Sequence, residues 1–115
     1  MRLTSDFVVS ATLRRAAGEG AFAALRHRGE TQAGAIFIVV DCLDGTGVLY
    51  GPAPQASYDD RPSERLFVRL HAEERVTRDV IEARLEKELR FDPDCYILEI
   101  EDRQGRPFVE IIPST

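Results

Sequence analysis

The sequence is poor in the residues that usually announce chemistry. Its 115 residues include two cysteines and two histidines, and the cysteines, Cys42 and Cys95, are far apart in the chain. No C-x-x-C or similar paired spacing accompanies them, so a zinc site from Cys42, Cys95, His27 and His71 lacks the expected pattern. Neither a metal nor another cofactor is expected. The longest apolar run, "AIFIVV", is six residues long, too short to span a bilayer. The opening "MRLTSDFVVSATLRR" contains Asp6 and no cleavage-like tract, so no secretory signal is read. With nothing marking export, the two thiols are expected to stay reduced in a cytoplasmic protein. Excess positive charge is also missing. The net charge of −5 argues against a general nucleic-acid binder.

What remains has the composition of an ordinary folded domain, 43% hydrophobic and 30% charged. One domain spanning 1–115 fits this length, and its core is large enough to fold without disulfide or metal. The charge is unevenly spread. Residues 1–30 hold five arginines and three acids, whereas residues 31–115 carry seventeen acids against ten basic residues. Such asymmetry can steer a partner or simply solvate a surface.

Thr4, Ser5 and Asp6 are capping residues ahead of Val9, Leu13 and Ala16 at helical spacing, and Gly18 and Gly20 follow. This predicts a helix over about 6–17. "AFAALRHR" is read as a strand with Ala23, Leu25 and His27 on one face, and the turn-rich "GETQAG" predicts a hairpin into the next strand. In "GAIFIVVD", Ile36, Ile38 and Val40 alternate with Ala35, Phe37 and Val39, which places a strand with two apolar faces in the middle of a sheet. Asp44-Gly45 marks a hairpin, and the glycines nearby lack the spacing of a phosphate loop. "RLFVRL" alternates as a strand.

Thr77 is positioned to cap a helix carrying Ile81, Leu85 and Leu89, with Arg84–Glu88 and Glu86–Arg90 pairs on its outer face and Pro93 at its end. "CYILEIEDRQGRPFVEII" reads as strand, turn, strand. The order is helix, four strands, helix, two strands. The expected class is α+β, a largely antiparallel sheet with helices packed on it. If both helices covered one face, the other would remain apolar and pair two copies into a homodimer.

Chemistry has few candidates. His71, Asp59 and Glu99 are those from which a small enzyme would draw, if the fold assembled them. Glu99 and Glu101 share a face and, on a terminal hairpin, would protect a sheet edge. A fuller set lies along the 50–65 loop. Tyr50 and Tyr58 offer aromatic faces, Asp59 and Asp60 charge, and Arg61 and Arg65 planar donor forks. Loops this long without secondary structure are uncommon unless they serve a function or are disordered. The leading expectation is therefore a non-enzymatic binding or interaction module using this loop and the adjacent sheet, with a protein or small molecule as partner.

"RLTSDFVVSATLRR", "RGETQAGAIFI", "LYGPAPQ", "RLFVRL" and "DPDCYILEIEDRQGRPF" together resemble the domain-of-unknown-function family 1491, found chiefly in alphaproteobacteria. The resemblance runs nearly end to end and implies a small cytoplasmic bacterial protein, with no activity or residue role to carry over. Where members often have a bulkier aromatic after Phe7, this chain has Val8.

Overall fold

Thr4 is extended, and its hydroxyl accepts the Phe7 amide at 3.2 Å, starting helix α1, Ser5–Gly18. In the computed structural model, which describes residues 3–54 and 65–113, the remaining elements are β1 (Phe22–His27), β2 (Ile36–Asp41), β3 (Thr46–Pro52), β4 (Phe67–Arg69), β5 (Val76–Thr77), α2 (Arg78–Phe91) and β6 (Tyr96–Glu101). The six strands form one sheet in the order β1-β6-β2-β3-β4, with β5 paired to β3. Every pairing is antiparallel except β2 with β6. The α+β class and the dominant antiparallel pairing therefore hold, and β2 occupies the middle as its two apolar faces require.

The two helices lie on opposite faces. Ile36, Ile38 and Val40 of β2 and Tyr96, Leu98 and Ile100 of β6 pack with Val8 and Val9 of α1. Phe37, Val39, Leu49 and Ile97 pack on the other side with Ile81 and Leu85 of α2. No apolar face is left bare in the way the homodimer expectation required, so that premise fails. Val8 is 8% exposed within the α1 core.

Three local expectations are corrected. The 29–34 segment is not a hairpin between β1 and β2. A β-carbon at Gly29 or Gly34 would collide with the Asp94 carbonyl, and the Glu30 amide bonds that carbonyl at 2.8 Å. The segment thus passes tightly around the start of β6, and β6 enters the sheet between β1 and β2. The second strand expected after residue 105 does not form as a ladder. Pro107 lacks an amide proton, and Phe108 sits at φ 59°, a strained value for an aromatic residue. Residues 106–113 instead cross the α1 face, where Phe108, Val109 and Ile111 join its core. They also close the outer edge of β4, with the Phe67 amide donating to Glu110 at 3.2 Å and the Ile112 amide to Phe67 at 2.8 Å. Finally, Thr77 occupies the cap position of α2 and pairs with Thr46 of β3, but its side chain makes no capping bond.

Candidate functional site

The histidines are structural. His71 Nε2 accepts the Leu49 amide at 3.0 Å, so the ring carries its proton on Nδ1, which donates to the Glu73 carbonyl at 2.8 Å. Both nitrogens are spent on backbone. His27 Nδ1 lies 2.8 Å from the Cys95 carbonyl and ties β1 to the start of β6. Glu99 does not meet His71: Val39 and Leu49 stand between them across the sheet, so strand spacing alone separates them by roughly 14 Å. Asp59, the third candidate for an enzyme, lies outside the described residues. The two buried thiols are pushed up by burial, which removes them as nucleophiles. No metal-ligand cluster occurs among the described residues, and no helix is long and apolar enough to cross a membrane.

Glu99 has another role. Because β6 is internal, Glu99 and Glu101 guard no sheet edge, contrary to expectation. Arg26 pairs with Glu82 at 2.9 Å and Glu99 at 3.0 Å, while Arg78 reaches Glu82, Asp41 and Glu99 at 2.7, 3.1 and 3.5 Å. The Arg26 hydrogen bond and burial, opposed in sign, leave the Glu82 carboxyl held down at about 2. This network clamps α2 to β1, β2 and β6. Glu82, Glu99 and Asp41 are thereby each paired with an arginine.

Two adjoining openings lie on the α1 face. A cleft of about 330 Å³ runs between Thr4, the 32–36 turn, Pro52 and Arg65–Phe67. A groove of about 240 Å³ continues along α1, lined by Leu3, Phe7, Val8, Ala11, Phe67 and Val109, with Arg15, Arg65 and Glu110 at its rim. Leu3, Arg65 and Phe67 belong to both. Phe7 is 52% exposed and Leu3 45%, large apolar surface presented together at one end of a helix. Arg65 is held in place, donating to the buried Ser5 hydroxyl at 3.0 Å and the Gln32 carbonyl at 3.1 Å. Arg15 donates to the Phe108 carbonyl and fixes the opposite wall. The α1 N-terminus is no anion cradle. The amides of Ser5, Asp6, Phe7 and Val8 donate to Gln32, Thr31 and Thr4 within the chain.

Of the six residues expected to bind, the structure describes two. Arg65 lines the cleft and groove. Tyr50 lines a separate, broader depression of about 430 Å³ with Arg69, Ile111, Ile112 and Pro113, its hydroxyl donating to Gly105 at 3.2 Å. Tyr58, Asp59, Asp60 and Arg61 lie outside the described residues. Leu3, Phe7, Ala11, Arg15 and Val109 were not singled out as binders. Phe7, Ala11 and Arg15 stand at i, i+4 and i+8, a second stripe beside Val9, Leu13 and Ala16 that was readable in the sequence.

The family model for DUF1491, described as a protein of unknown function, matches residues 3–110. The chain belongs to the DUF1491 family. A DUF1491 family crystal structure from Caulobacter crescentus CB15 is 32% identical with a TM-score of 0.79, and each chain is covered fully. A solution structure of a protein from A. tumefaciens is 40% identical with a TM-score of 0.82, covering 100% of this chain and 98% of that one. No curated protein matches. Membership thus supports the fold and gives no residue a role, which leaves the DUF1491 surface itself as the guide to function.

Proposed function

We propose that this DUF1491 protein is a non-enzymatic interaction module of the bacterial cytoplasm. Its α1 groove, together with the cleft beside Pro52 and Arg65, receives a short amphipathic segment of another protein. The observation that carries this reading is the open apolar floor of Leu3, Phe7, Ala11, Phe67 and Val109, rimmed by two arginines and Glu110. A groove of this shape suits the apolar stripe of a helix laid into it. The rim arginines Arg15 and Arg65, and exposed Arg14 on the same helix, select acidic residues on the flanks of that stripe. Walls tied by arginine side chains donating to backbone carbonyls lower the ordering cost of binding.

The test is selection of displayed random peptides on the wild-type protein and on Phe7→Ser. Peptides with apolar residues at i and i+3 or i+4 and acidic flanks are expected on wild type and lost on the variant. Enrichment no better than a scrambled library, or equal binding to Phe7→Ser, would count against the proposal.

A further inference from the structure

The two edges of the sheet are treated differently. The 106–113 segment hydrogen-bonds along the outer edge of β4. At the other side, β1 pairs only with β6, and among the described residues no other backbone or side-chain group hydrogen-bonds the backbone of residues 22–27. A row of outward amides and carbonyls is therefore open for another strand. Its pattern decides which strand fits. Phe22, Ala24 and Arg26 share the face toward α2, with Phe22 62% exposed. The ladder with β6 is irregular between Leu25 and His27, so a long added strand would lose register at that end.

We infer that the β1 edge pairs antiparallel with β1 of a second copy, about a two-fold axis through Ala24. This register uses only Phe22–Arg26, with Arg26 at the register shift itself and His27 beyond it left unpaired. It sets Phe22 opposite Arg26 of the second copy, twice per dimer, and Ala23 opposite Leu25. The Arg26 side chain is 35% exposed and keeps its positive charge against Glu82 and Glu99, so its planar face can meet an aromatic ring. Ala24 at the axis is small enough for the two backbones to approach. The β2 face plays no part, and the α1 groove stays free.

Light scattering across a concentration series tests this with two substitutions at the exposed Phe22, circular dichroism confirming the fold of each. Wild type is expected to rise from 12.9 kDa toward twice that mass. Phe22→Arg faces a like charge and should weaken dimerisation at least about tenfold, whereas Phe22→Glu faces Arg26 and should retain it. A constant 12.9 kDa overturns the inference, as does a dimer that Phe22→Arg leaves intact.

Discussion

The two faces of the sheet each receive a helix of fourteen residues, yet one helix is clamped by an ion-pair network and the other borders a groove. On the α2 side, Ile81 and Leu85 seat on Phe37, Val39, Leu49 and Ile97, and the charges around them are matched in the Arg26–Glu82–Arg78–Glu99 network. On the α1 side the helix covers the β1–β6–β2 end, and an irregular C-terminal segment covers part of the rest. The space between helix and segment is the groove. A regular helix seated on the sheet leaves little space beneath it, while a helix and an irregular segment side by side leave a groove between them. An ion-pair network therefore distinguishes the α2 side, and an apolar groove the α1 side.

The sharpest break between the faces comes from their cores. Leu85→Ala is expected to cost about 2–5 kcal/mol in a urea titration, since Leu85 is 1% exposed beneath α2. A loss of less than about 1 kcal/mol would show that the α2 face is not closed. Next is His71→Ala, which strands the Leu49 amide on the same side and should cost about 1–3 kcal/mol.

The third test is acid. Glu82 titrates at about 2 in the folded protein against an ordinary 4.5, so its contribution is fully present above about 4.5 and disappears as pH falls toward 2. Asp102, held down by Arg106, acts in the same direction. Stability should therefore decline over that window, and Glu82→Gln should make the decline shallower. The effect is modest because the Glu82 side chain is 40% exposed. The smallest expected change in stability is for Phe7→Ser, less than about 0.5 kcal/mol, because the ring is half exposed. Loss of peptide binding without loss of stability would separate the faces by function as well as by packing.

The sequence displayed the closed parts well. Alternation in 35–40 and the stripe at Ile81, Leu85 and Leu89 depend on local periodicity, and both elements form where expected. Arg84–Glu88 and Arg90–Glu86 also pair as their spacing implies. What local pattern could not show was β6 entering between β1 and β2, because that depends on Gly29 and Gly34 passing Asp94, some sixty residues away. The same holds for the helices taking opposite faces. The groove was half legible. Phe7, Ala11 and Arg15 form a stripe in the sequence, but Phe67 and Val109 join them only through the unexpected path of the C-terminal segment.

Chemical-shift mapping tests the central claim most directly. A peptide recovered on the wild-type protein is titrated into isotope-labelled protein and the amide shifts are followed residue by residue. The largest shifts are expected on Phe7, Ala11, Arg15, Phe67 and Val109, while Ile81, Leu85 and Glu99 stay unmoved. Largest shifts on the α2 face, or shifts spread evenly over both faces, would contradict it.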